Sequence, residues 1–228
     1  MALYAIGDLH LSLGADKPMD IFGGRWEGYL EKLREGLSVI GPEDTTVLLG
    51  DVSWAAGLDS AQADFDFISA IPGRKIILKG NHDYWWTTLA KFRRFCAQSG
   101  YENMELLHNT CFSYDSIALC GTRGWFYEED REGTHDEKVF RRELGRLEAS
   151  LAAAGDAVKY CFLHYPPRYR GYECPEILEL LARYGVRRCY YGHLHGDSHK
   201  LALEGLWDGI EYRLVSADYV NFKPVRVL

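Results

Sequence analysis

No apolar run in this sequence is long. The longest unbroken one, Met1–Ile6, covers six residues, where a membrane-spanning helix needs about 20. No membrane partner is therefore expected. The run has no basic leader and passes straight into Gly7-Asp8, so it does not read as a signal peptide. Basic charge is scarce as well. Twenty-six Lys and Arg stand against 33 Asp and Glu, for a net charge of −7, which disfavours nucleic acid or an anionic membrane as the main partner. None of the six cysteines, at 96, 111, 120, 161, 174 and 189, stands in CxxC spacing with another. An even cysteine count marks disulfides in small exported domains, which this chain is not, so reduced thiols and a cytoplasmic location are expected. Internal repeats, low-complexity tracts and Pro/Gly/Ser linkers are absent too, and a single domain over 1–228 is expected.

What is present is ordinary globular composition, long enough to bury a full core without disulfides or a structural metal. Short apolar runs alternate with amphipathic stretches. Leu3–Ile6, Thr45–Leu49, Lys75–Leu78, Val158–Leu163 and Cys189–Tyr191 read as strands. Leu30, Leu33, Leu37 and Ile40 recur at helical spacing, predicting a helix over about 27–40. A second helix is predicted over Asp59–Ile71, with Asp59 as its N-cap and Pro72 closing it. Further helices are predicted from Leu89, Phe92 and Cys96 up to Gly100, from Phe140, Leu144, Leu147 and Leu151 up to Gly155, and from Ile177, Leu178, Leu181 and Tyr184. Cys111–Tyr114 and Ile117–Cys120 flank Asp115-Ser116 as a hairpin, and about 199–228 reads as strands with turns at Gly205 and Gly209. The expected class is α/β, with two packed sheets between helical layers.

The chemistry is marked by position. Five predicted strands run into the same kinds of side chain: Asp8-Leu9-His10, Asp51, Asn81-His82-Asp83, His164, and His193-Leu194-His195. Ligands of open α/β sheets gather outside the carboxyl ends of strands. Carboxylate, imidazole and amide are oxygen and nitrogen donors, a set suited to Mn, Fe or Zn, and too large for one catalytic ion with an open position. In Asp8-x-His10 and His193-x-His195 the paired residues are two apart, so on extended chain they share a side. Alone, Asp51 would be a turn residue and His164 a structural histidine. His108, His135 and His199 are left as surface or loop histidines. As a set, five of the eight histidines fall at strand ends.

This constellation resembles the calcineurin-like metallophosphoesterase superfamily, whose pattern is D-x-H, G-D, G-N-H-D/E, a lone His, and G-H-x-H. All five blocks stand here in order, as Asp8-Leu9-His10, Gly50-Asp51, Gly80-Asn81-His82-Asp83, His164 and Gly192-His193-Leu194-His195. The resemblance implies a four-layer α/β/β/α sandwich with two metal ions, manganese favoured. It places Asp8, His10 and His195 on one ion, Asn81, His164 and His193 on the other, and Asp51 between them. It implies a phosphomonoesterase or phosphodiesterase for a small phosphoester, working by attack of a dimetal-bridging hydroxide on phosphorus. His82, oriented by Asp83, would assist the leaving group, and no phospho-enzyme is expected. Two alternatives use the same fold: a nuclease, and a non-catalytic protein-binding scaffold.

Departures narrow the branch. Asp51 is followed by Val52-Ser53-Trp54 rather than the Arg-Gly of the protein serine/threonine phosphatases. Trp54 stands where purple acid phosphatases carry a metal-ligating tyrosine. His82 stands where the UDP-diacylglucosamine pyrophosphohydrolases usually carry arginine. Tyr84-Trp85-Trp86 is read as packing against the next helix, with an aromatic wall for an organic leaving group as its alternative. Arg123 and Arg168 lie in predicted loops, each able to fork onto phosphate oxygens but read first as surface arginines.

Overall fold

The computed structural model describes residues 1–17, 19–125 and 134–228. In chain order the elements are β1 (Leu3–Ile6), α1 (Tyr29–Leu37), β2 (Thr45–Leu48), α2 (Gln62–Ala70), β3 (Arg74–Ile77), α3 (Leu89–Ser99) and β4 (Met104–Leu106). Then come β5 (Phe112–Tyr114), β6 (Ile117–Thr122), α4 (Thr134–Ala152), β7 (Val158–Leu163), β8 (Arg168–Tyr169) and β9 (Tyr172–Glu173). The chain closes with α5 (Pro175–Arg183), β10 (Val186–Tyr191), β11 (Gly205–Trp207), β12 (Ile210–Leu214) and β13 (Val225–Arg226). They form two compact units, Met1–Leu106 with Val215–Leu228, and Leu107–Leu214.

The first unit is built on a five-stranded sheet of order β13-β1-β2-β3-β4. Strands β1 to β4 are parallel, and β13 pairs antiparallel with β1. Parallel strands are covered on both faces, which is why Thr45–Leu48 is buried at every position. Successive parallel strands are linked through α1, α2 and α3. Tyr29, Leu33, Gly36 and Leu37 form the buried face of α1, a spacing of one helical stripe. Trp85, Phe65 and Phe92 centre the core of this unit, with the Phe65 and Trp85 rings 4.8 Å apart and edge-on.

The second unit holds a six-stranded sheet of order β11-β12-β10-β7-β6-β5. Its four inner strands run parallel and its two edges antiparallel. Helices α4 and α5 link β6 to β7 and β7 to β10. Pro175 opens α5, where its missing N–H costs nothing, and Ile177, Leu180 and Leu181 are its buried face. All six cysteines are free, five of them buried.

The α/β class with two mixed sheets flanked by helices is as expected. Several local expectations shift. Asp59 is not a helix cap. It lies in a 3-10 turn, Leu58–Ser60, and α2 starts only after Ala61. The reason is local: the Ser60 hydroxyl donates to the Gly57 carbonyl at 3.0 Å and closes that turn first. Pro72 does end the helix, since Ile71 before it is extended at φ −68°, ψ 128°. Gly205 begins a strand instead of a turn, and Gly196–Leu201 is a 3-10 turn. Among the described residues no helix is long and apolar enough to cross a membrane.

Candidate functional site

In the first unit, β1, β2 and β3 end abreast, with Ile6, Leu48 and Ile77 in one register row. The chain continues past that row into Asp8-His10, Asp51 and Asn81-Asp83. The rows stay joined beyond the strands: Asp8 N donates to Gly50 O, and His10 N to Asp51 O, both at 2.9 Å. Asp8, His10 and Asp51 are all buried. Asp8 offers a ligand atom within 4.8 Å of one from His10, and likewise one within that distance of an Asp51 carboxylate oxygen. Asn81 and His82 are half-buried. His10 Nε2 lies 3.8 Å and His82 Nε2 4.0 Å from Asp51 Oδ2, while Asp51 Oδ1 accepts from the His82 amide at 2.7 Å.

Asp83 holds these segments together. Its buried carboxylate accepts from the backbone amides of Asp51, Val52 and Gly80 at 2.7–2.9 Å, from Ser53 N at 3.3 Å, and from Trp85 Nε1 at 2.9 Å. It thereby ties the loop carrying Asp51 to the loop carrying Asn81 and His82. The two loops touch backbone to backbone at Gly50 and Gly80. A Cβ on Gly80 would fall 2.1 Å from Asp51 Oδ1, and one on Gly50 2.5 Å from Gly80 N. Only glycine admits that approach.

In the second unit, Thr122, Leu163 and Tyr191 form the matching register row at the ends of β6, β7 and β10. His164 comes immediately after Leu163 and is fully buried. Gly192 N donates to His164 O at 3.0 Å, which sets His193 beside it, with the two imidazole rings 5.2 Å apart. His195 is held by Ser198, whose hydroxyl accepts from His195 N at 2.8 Å and donates to its carbonyl at 2.6 Å.

The backbone at these positions is unusual. Asp8 (φ 59°), His10 (φ 46°), Asp51 (φ 48°) and His193 (φ 72°) all adopt left-handed conformation. For a non-glycine residue this costs about 1–2 kcal/mol, and such strain persists where the surrounding structure holds it and clusters at functional sites. Aspartate and histidine are both enriched in this region among non-glycine residues, and four of the nine such residues among those described are these strand-end donors.

Several neighbours of the site carry no signal in the sequence. Trp54, noted above only as unable to ligate through oxygen, stacks on His10 with ring centres 5.1 Å apart, and its ring lies 4.3 Å from that of His82. Trp26 meets His10 edge-on at 5.6 Å, and the Lys17 ammonium sits 3.7 Å above the Trp54 ring. Buried Asp64 accepts from the Ser53 hydroxyl and from Leu13 N, the latter at 2.7 Å, and burial raises its carboxyl above the usual range. It pins the segments just beyond His10 and Asp51. The aromatic triplet divides: Trp85 is core, whereas Tyr84 is exposed, with its hydroxyl 3.4 Å from His82 Nδ1. Arg168 is no surface arginine. It is buried, and its guanidinium is held by Glu173 at 2.5 Å and Asp208 at 2.7 Å. His108 and His199 are half-buried, and the His135 side chain lies outside the described residues.

The donor chemistry fits divalent ions. Carboxylates, imidazoles and an amide stand at strand ends of the first unit and imidazoles at those of the second, and no cysteine stands in these strand-end motifs. Comparison with known proteins agrees. The family model of calcineurin-like phosphoesterases matches residues 1–197. The human tartrate-resistant acid phosphatase type 5 is 27% identical over 140 residues, which cover 52% of this chain and 42% of that protein. The chain thus spans less than half the length of that curated relative. Among solved structures, a phosphopantetheinyl hydrolase from Mycobacterium tuberculosis superposes with a TM-score of 0.61 at 15% identity, covering 100% of this chain and 95% of that one. A protein of unknown function from Aquifex aeolicus gives 0.52 at 17% identity, covering 99% and 95%. At such identities these structures speak for the fold.

Proposed function

Since the chain belongs to the calcineurin-like phosphoesterase family, we propose that it is a metal-dependent hydrolase of a small phosphomonoester or phosphodiester, acting through one catalytic domain. Asp8, His10 and His195 would hold one ion and Asn81, His164 and His193 a second, with Asp51 a ligand of both. Manganese is the metal proposed, one of the divalent ions that oxygen and nitrogen donors accept. The ions supply an activated water and positive charge against the phosphoryl oxygens.

The chain's own residues do the rest. His82 is half-buried, with one face against Trp54, so it can meet a substrate while its ring is kept from turning freely. With the Tyr84 hydroxyl beside Nδ1 and Nε2 turned toward Asp51 Oδ2 at 4.0 Å, His82 can hand a proton to the departing alkoxide. Asp83 is a positioning residue. By fixing the amides around Asp51 and Gly80, it sets where Asp51, Asn81 and His82 stand. The observation that carries the reading is the left-handed backbone at Asp8, His10, Asp51 and His193, strain concentrated on four of the seven proposed ligands.

The test is turnover of p-nitrophenyl phosphate and its bis ester by manganese-loaded protein. His82→Ala is expected to lose about 10²–10⁴ in kcat, the usual worth of a general acid, with metal content unchanged. No turnover with Mn, Fe or Zn would overturn the proposal.

A further inference from the structure

We propose that Arg123 binds the phosphoryl group of the substrate, an assignment that rests on the hydrolase reading above. Strand β6 ends at Thr122, register partner of Leu163, so Arg123 stands abreast of His164 on the same strand-end row. The backbone keeps it there: Tyr165 N donates to Arg123 O at 2.8 Å. The flanking glycines press this loop against β7. A Cβ on Gly121 would fall 1.9 Å from Phe162 O, and one on Gly124, at φ 77°, 3.1 Å from Tyr165 O. The loop is therefore built to a close tolerance on the strand that delivers His164.

The side chain has the chemistry for an anion. Arg123 Nε is enclosed and meets no acceptor among the described residues, and a buried donor left unpaired costs about 1–3 kcal/mol. The residue as a whole is only half-buried, so the part of its side chain that solvent still reaches can meet a phosphoester oxygen. The guanidinium carbon lies 5.9 Å from the centre of the Tyr165 ring, which in turn is 5.1 Å from the His164 ring and 4.6 Å from that of His193. Tyr165 thus neighbours both the Arg123 guanidinium and the rings of two proposed metal ligands. Arg168, the other candidate, is already committed to Glu173 and Asp208. In a chain of net charge −7, a guanidinium kept on this row suits an anionic substrate. Guanidinium also presents two parallel N–H groups to two phosphoryl oxygens, which lysine cannot.

The test uses inorganic phosphate as probe on the full-length, manganese-loaded protein, by calorimetry and as an inhibitor of p-nitrophenyl phosphate turnover. A charge-assisted fork predicts that Arg123→Ala raises the phosphate Kd and the ester KM about ten- to hundredfold, with a smaller change in kcat and with metal content and Tm unchanged. Arg123→Lys should recover part of the loss. If Arg123→Ala does not fold, Arg123→Lys carries the test, with an expected weakening of about three- to tenfold because one ammonium replaces the fork. Phosphate binding within about twofold of wild type in a folded, metal-loaded variant overturns the assignment, as does a wild type that binds no phosphate. Because the calorimetry needs no turnover, a protein that binds phosphate through Arg123 yet hydrolyses nothing would sink the hydrolase reading and leave this one standing.

Discussion

Removing the Asp83 carboxylate should be among the most damaging single changes outside the ligands themselves. It is 1% exposed and accepts at least five hydrogen bonds. Asp83→Ala strands three well-formed backbone donors, those of Asp51, Val52 and Gly80, each buried and each costing about 1–3 kcal/mol when unpaired. Some relaxation and water entry will offset this, so the expected loss is about 3–5 kcal/mol, a large part of a typical total of about 5–15 kcal/mol. Asp83→Asn separates hydrogen bonding from shape. Its oxygen can still serve Val52, Ser53 and Trp85 in place of Oδ1, but its NH2 then faces the amides of Asp51 and Gly80, donor against donor. About 2–3 kcal/mol should be lost. The assay is urea unfolding of metal-free protein followed by tryptophan fluorescence, so that metal binding does not contribute. An Asp83→Ala variant within about 1 kcal/mol of wild type, or an Asp83→Asn variant equal to it, would refute the role given to this carboxylate.

Two further outcomes are expected. Gly80→Ala places a Cβ 2.1 Å from Asp51 Oδ1 and 2.2 Å from Asp51 N. It should lower Tm, abolish binding of both metals and cost at least about 2–3 kcal/mol, and a variant with wild-type metal content contradicts the interlocked loops. Lys75 is fully buried, its ammonium donating to the carbonyls of Ile71 and Gly73, and burial pushes its pKa from 10.5 down to about 8. Between those values the unfolded chain holds a proton that the folded chain lacks, so this residue makes stability rise with pH across that window. The unfolding free energy of wild type relative to that of Lys75→Met should therefore grow by about 1–2 kcal/mol from pH 8 to pH 10, and a flat difference contradicts it.

The parts of the site that were legible in the sequence are those that depend on local chain alone. Apolar runs mark the strands, and the residues just past each run mark the row of donors, because a parallel sheet presents all its carboxyl ends to one side. The hairpin at Asp115-Ser116 was legible for the same reason and pairs as expected, Tyr114 opposite Ile117. The features that escaped depend on contacts between distant residues. The cap expected of Asp59 was displaced by the Gly57–Ser60 turn. Asp83 contacts amides some thirty residues away, and Arg168 finds its second partner forty residues on, at Asp208. Trp54 was judged by what it cannot ligate, whereas its contribution is the flat face it lays against His10. The return of β13 to pair with β1 left no local signal in so short a segment. The left-handed φ at His10 and His193 could not be read from residue type, since even the several-fold enrichment of histidine there leaves most histidines in ordinary conformation.

The central claim, that the seven strand-end donors hold a pair of ions, is tested most directly by titrating Mn²⁺ into metal-free protein and monitoring it by electron paramagnetic resonance with metal analysis. The account predicts two manganese ions per chain whose spins are exchange-coupled, with the coupling lost in Asp51→Asn and one ion weakened in His193→Ala. Binding of a single ion, or of two that show no coupling, would contradict it.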